Sequence, residues 1–137
     1  MNWIAGLVAG VVVYLADWVL WTYVFRTGMD AYVTQMSPEE MKKFMGPALA
    51  KSAVLSLAFG FLFAWFYGRF RGALWVRGGG PLGGMEFATV LWLPTIFLAM
   101  VGSGVWYMKV KSLQMATCWA WLIRMNVAGI AVGLLVR

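Results

Sequence analysis

The sequence has no histidine, one cysteine and only five acidic side chains in 137 residues. Without histidine it lacks the commonest ligand of zinc and haem and the commonest general base near neutral pH. Its single cysteine, Cys118, excludes an intrachain disulfide. Cys118 lies among apolar neighbours and reads as a small buried hydrophobe rather than a nucleophile. So few carboxylates, with no imidazole, leave little for acid–base or nucleophilic chemistry. The expectation is a protein that is not an enzyme, with no metal and no cofactor. Gly78, Gly80 and Gly83 match G-x-G-x-x-G on paper. No strand precedes them and no Gly-Lys-Ser/Thr follows, so a phosphate cradle is not expected.

Charge is scarce too. Charged residues make up 12% of the chain and hydrophobic ones 63%, and the mean hydropathy is +0.79. The net charge of +6 comes from 11 Lys and Arg against 5 Asp and Glu. In a soluble chain that balance would suggest nucleic acid. Here the basic residues flank apolar runs, so the expected partner is the lipid bilayer and its anionic head groups, with no nucleic acid. Nine Trp, five Tyr and nine Phe suit a chain with two membrane interfaces to anchor.

Four runs, at about 3–25, 48–67, 87–107 and 112–136, reach the ~20 residues a spanning helix needs. Runs this long are helices rather than barrel strands. The reading is one all-α domain, an integral membrane four-helix bundle with both termini on the same side. Met1-Asn2-Trp3 lacks a basic n-region, so the first run is expected to remain as a span. Lys and Arg are nearly balanced between the two sides, which leaves the orientation unassigned.

The loops carry local signals. Ser37-Pro38-Glu39-Glu40 combines an N-cap, a proline at the first helical position and a capping box. Met41, Phe44 and Met45 then share a face, which predicts a short amphipathic interfacial helix in the first loop, ended by Gly46-Pro47. Residues 68–84 hold three arginines, one proline and many glycines, and read as a flexible, lipid-facing linker. Residues 108–111 make a short hairpin connection. Pro94 cannot donate to the carbonyl of Val90 and predicts a helix kink.

Lipid supplies no hydrophobic drive for helix association, so small residues mark where helices approach. Gly6 and Gly10 do so in the first span, and Ala48, Ser52, Ser56, Gly60 and Ala64 in the second. Thr95, Ala99 and Ser103 recur in the third, and Ala116, Ala120 and Ala128, with Gly129 and Gly133, in the fourth.

Two charges fall on these faces. Asp17 shares a side of the first helix with Gly6, Gly10 and Tyr14, and Arg124 lies in the alanine stripe of the fourth. A charge at bilayer depth costs at least about 2.5–3.5 kcal/mol, so each needs a partner. Counted from Arg26 and Lys111, Asp17 lies about 14 Å and Arg124 about 20 Å from the same membrane edge. The gap of about 6 Å is within reach of an arginine side chain. The spacing predicts an intramembrane Asp17–Arg124 ion pair, with Lys51, Tyr14 and Asn126 as candidate neighbours. Lys51, nearer the edge, can snorkel to the interface. Glu86 is expected to be interfacial and solvated.

The order of these features resembles a family of small bacterial membrane proteins, domain of unknown function 1761. The residues that carry the resemblance are Met1-Asn2-Trp3, Asp17-Trp18 and Trp21-Thr22-Tyr23 in the first span. Met36-Ser37-Pro38-Glu39-Glu40-Met41-Lys42-Lys43 and Leu91-Trp92-Leu93 complete it. The first half of the chain carries most of it. Asp17 and the glycine-rich second loop depart from the family pattern. The resemblance implies four helices and a bacterial cytoplasmic membrane, and no chemistry.

Small size, many close-packing stripes and few reactive groups point to a non-enzymatic accessory or structural subunit. It would pack in a homo-oligomer or a larger membrane complex. The alternative is a small transporter or proton-coupled permease protomer with Asp17 and Arg124 at its centre.

Overall fold

A computed structural model describes residues 2–25, 37–76, 79–106 and 111–136. Every described element is helical: α1 (Trp3–Val19), α2 (Pro38–Phe70), α3 (Gly80–Trp92), α4 (Leu98–Trp106) and α5 (Lys111–Leu135). A π-helical turn, Leu20–Val24, extends α1, and another, Leu93–Phe97, joins α3 to α4. These elements form four helices long and apolar enough to cross a membrane: Trp3–Val24, Pro38–Ala73, Gly80–Val105 and Lys111–Leu135.

The helix start at Ser37 follows the capping logic. Glu40 N–H donates to Ser37 Oγ at 3.3 Å, and Ser37 N–H donates to Glu40 Oε2 at 3.0 Å. The expected stop at Gly46-Pro47 does not occur, and α2 runs through Pro47 without a break. Among the described residues there is therefore no separate interfacial helix; the expected one is the start of α2. A proline inside a helix removes one hydrogen bond and bends the backbone, and a long helix already established on both sides absorbs that loss. At 1.5 Å per residue α2 is about 50 Å long, against about 30 Å of hydrocarbon in a bilayer. A membrane covering its apolar centre leaves the first turns, with Glu39, Glu40, Lys42 and Lys43 exposed, outside the hydrocarbon.

The glycine-rich stretch also differs from expectation. α2 continues to Phe70 with a 3₁₀ turn at Arg71–Ala73, and α3 starts at Gly80. Helical structure thus takes 68–73 and 80–84 of the predicted linker. Gly79 and Gly80 turn the chain with φ of 66° and 70°, a region that disfavours any side chain. Glu86, one turn and a half into α3, ties the connection down. Its Oε1 accepts from Trp75 N–H at 2.6 Å and its Oε2 from Val76 N–H at 2.8 Å. Glu86 thus clasps the backbone of this connection through two exposed hydrogen bonds.

Glycine sets the packing. Gly6 and Gly10 of α1 lie against Gly60 of α2, where a Cβ on Gly60 would strike the backbone of both. Gly84 of α3 meets Gly129 of α5, and Gly80 meets Gly133, each through a carbonyl. The working small-residue face of the third span is therefore Gly80, Gly84 and Ala88. In the stripe expected there, Thr95 and Ala99 are exposed and Ser103 is half-buried. α1 also packs along α5, and aromatic rings fill the space between α2 and the other helices. Phe63 and Tyr67 approach Phe87 with ring centroids 5.1 and 5.6 Å apart, and Phe59 meets Trp121 at 5.5 Å. Trp92, buried, donates Nε1–H to the Cys118 carbonyl at 2.9 Å. Cys118 itself is buried.

At the terminal end, Asn2 joins two helices. It accepts from Ala5 N–H at 3.2 Å as the N-cap of α1 and donates to the Leu135 carbonyl at 2.7 Å. Around Pro94 the ladder slips into the π turn, and Thr95 Oγ1 donates to the Leu91 carbonyl at 2.6 Å. The outer faces are apolar: Leu7, Val11, Leu15 and Trp18 on α1 and Leu98 and Val105 on α4 are exposed. Such continuous apolar exposure is unusual in a soluble monomer and is what hydrocarbon would cover.

Candidate functional site

Asp17, near the end of α1, and Arg124, midway along α5, meet where these helices pack. Arg124 Nη1 lies 3.1 Å from Asp17 Oδ1, with 12% of the arginine side chain and 20% of the aspartate side chain exposed. The contact has the distance of an ion pair but not the alignment of a hydrogen bond. Neither Asp17 Oδ1 nor Arg124 Nε has a hydrogen-bond partner among the described residues. The guanidinium instead lies over the Trp121 ring, 4.1 Å from its centroid. That stacking suits arginine, whose planar, weakly hydrated cation gains from an aromatic face when water is excluded. Arg124 carries five N–H donors, and Asp17 engages one edge of the fork only.

Arg124 also lines a cleft of about 280 Å³ between α2 and α5. Its polar lining is Lys51, Ser52 and Ser56 of α2 with Arg124 of α5, and Phe59 and Trp121 form apolar walls. Lys51 is exposed, Ser52 half-buried and Ser56 buried. The serines belong to the same small-residue stripe as Gly60, so the stripe changes role along α2. From Ser56 to Gly60 its backbone lies against α1, and from Ala48 to Ser56 its small side chains line the cleft. Two cations line the cleft, and Asp17 pairs with one of them, leaving one net positive charge.

Tyr14 is half-buried on α1. Asn126 belongs elsewhere: it donates to the Leu122 carbonyl at 2.9 Å, and Thr89 Oγ1 lies 3.4 Å from its Oδ1. Two positions from Arg124 is about 200° around a helix, which turns Asn126 toward α3 rather than toward Asp17. Ala64, Ala120 and Ala128 are buried packing residues. Among the described residues no three His, Cys, Asp or Glu side chains come together as metal ligands would.

Sequence reasoning missed Trp121 as a partner of Arg124, although a spacing of three places them on one helix face. It also missed Phe59 and the cleft, for which single-helix periodicity carries no signal. Comparisons with models of protein families, with curated proteins and with solved structures find no match.

Proposed function

We propose that this chain is a non-enzymatic membrane carrier protomer that takes a small organic anion at the Arg124 cleft. The observation that carries this reading is the convergence of Arg124 and Lys51 on one cleft, with Asp17 balancing only one of them. Intramembrane ionisable residues that face a cavity commonly mark solute or proton paths. The cleft is small for a ligand site, and its Phe59 and Trp121 walls suit a carboxylate on a compact apolar body. Lys51 offers a mobile cation at the edge, and Arg124 a fixed one within. Asp17 holds the guanidinium in place and tempers its charge, so that an anion can leave as well as arrive.

The tight glycine faces favour this reading over a purely structural one, because they are consumed between helices of the same chain. The accessory-subunit reading keeps one specific support. Thr95, Ala99 and Gly102 are exposed along one face of the third span, and a Cβ on Gly102 would meet nothing within 4 Å. Small residues on a lipid-exposed face suit a second helix, in a homo-oligomer or a larger complex. The resemblance described above extends the proposal to a bacterial cytoplasmic membrane with both termini on one side.

The test is thermal unfolding of the purified protein in detergent with benzoate and with neutral benzamide. Benzoate is expected to stabilise the wild type and benzamide not to. Lys51→Gln, at an exposed position, is expected to weaken the benzoate effect. Equal shifts for the two compounds would remove the anion reading. Co-purification of a second protein lost on Ala99→Trp, with no benzoate effect, would support the subunit reading instead.

A further inference from the structure

A second site lies at the terminal end of the bundle, away from the Arg124 cleft. A pocket of about 600 Å³ opens between the end of α2 and the ends of α1 and α5, with Arg69 and Arg71 on its wall beside Asn2 and Leu135. Both arginines are exposed. Arg69 lies 5.8 Å from the Trp65 ring centroid, an aromatic–cation pair suited to an interface. Arg71 Nη1 donates to the Val136 carbonyl at 3.4 Å, while Asn2 takes the Leu135 carbonyl. Two carbonyls at the negative end of α5 are thereby occupied by donors, which offsets part of that end's repulsion of an anion. Glu86 has both oxygens on the backbone N–H groups of Trp75 and Val76 and is not part of the pocket lining.

Leu135 also borders an apolar groove along α1 and α5, with Val8, Val12, Val127 and Ala131 on its walls. Val12 and Val127 carry the groove on to Leu15 and Ile123. From Leu135 to Ile123 the groove runs about 18 Å at 1.5 Å per residue. One leaflet is half of a hydrocarbon core of about 30 Å. The groove is therefore about as long as one leaflet is deep, and it shares Leu135 with the arginine pocket.

We infer that this surface binds one anionic phospholipid of the terminal-side leaflet, its phosphate on Arg69 and Arg71 and an acyl chain along the α1–α5 groove. A cationic pocket that meets a leaflet-length apolar groove at Leu135 matches a lipid and not a soluble phosphate, which would leave the groove unused. The inference is independent of what occupies the Arg124 cleft.

Native mass spectrometry of the full chain in detergent tests it, with equal amounts of dioleoyl phosphatidylglycerol and dioleoyl phosphatidylcholine added. The wild type is expected to retain the anionic lipid preferentially, by about fivefold per arginine. Arg69→Gln with Arg71→Gln is expected to abolish the preference, and Ala131→Phe to lower retention of the anionic lipid. If the double variant does not fold, Arg69→Gln alone carries the comparison, because Arg69 contacts its own helix. Equal retention of the two lipids overturns the proposal. So does a preference that survives loss of the arginines, or displacement of the lipid by soluble glycerol phosphate at matched concentration.

Discussion

Gly84 and Gly129 meet backbone to backbone, with no room for a side chain on either. This contact fixes the distance between α3 and α5 and, through the shared helix α5, the frame in which Arg124 faces α1.

A methyl group at Gly84 must move one of the helices. Gly84→Ala is expected to destabilise the protein by about 1–3 kcal/mol, the usual cost of overpacking. Gly102→Ala is the control: its Cβ meets nothing within 4 Å, and alanine favours a helix by up to about 1 kcal/mol. Denaturant titration in detergent measures both. If Gly84→Ala is as stable as Gly102→Ala, the close approach is wrong.

The Asp17–Arg124 contact predicts asymmetric mutants. Asp17→Asn leaves a largely buried guanidinium without its counter-charge, and losing one member of a buried pair costs about 3–5 kcal/mol. Arg124→Met removes the cation while keeping much of its apolar volume, so Asp17→Asn combined with Arg124→Met is expected to recover most of that loss. Exchanging the two charges, Asp17→Arg with Arg124→Asp, is expected to fold better than either single exchange. The same unfolding assay reads all of them, and a charge-exchanged protein no better than its single variants rules out a direct pair.

Glu86 predicts a local effect. Removing its carboxylate in Glu86→Ala frees two backbone donors, at a cost of about 2 kcal/mol for charge-assisted bonds. Amide hydrogen exchange at Trp75 and Val76 is expected to accelerate while exchange in the centre of α5 stays slow. Unchanged protection at both amides would show that the clasp is not made in solution.

The number and type of the helices could be read from the apolar runs, because nothing else in the chain competes with them. The ends of the first and fourth spans followed from the same runs, at Trp3–Val24 and Lys111–Leu135. The ends around Pro47 and Gly80–Gly84 did not. Glycine and proline weaken a helix considered alone, and their local signal is a stop. At Gly84 that signal is overridden by a contact with Gly129, which lies in a different span and leaves no trace in the local sequence. At Pro47 the loss is one hydrogen bond in a helix of 33 residues. Asp17 and Arg124 were legible for another reason: rise per residue fixes depth and angular position together. Asn126 shows the limit of that logic, because sequence proximity to Arg124 turned it onto the opposite side. The Trp92 bond to the Cys118 carbonyl joins positions with no shared pattern and had no signal at all.

The glycine contacts join neighbours in the chain, α1 with α2 and α3 with α5. The charge pair joins the first helix to the last. During synthesis the first hairpin can therefore close early, while Asp17 waits for its cation until α5 has been made. A nascent chain halted after α3 would hold a well-packed hairpin carrying an uncompensated acid, a state that invites retrieval by quality-control proteases. Arrival of α5 would then be the event that commits the protein to its final membrane state.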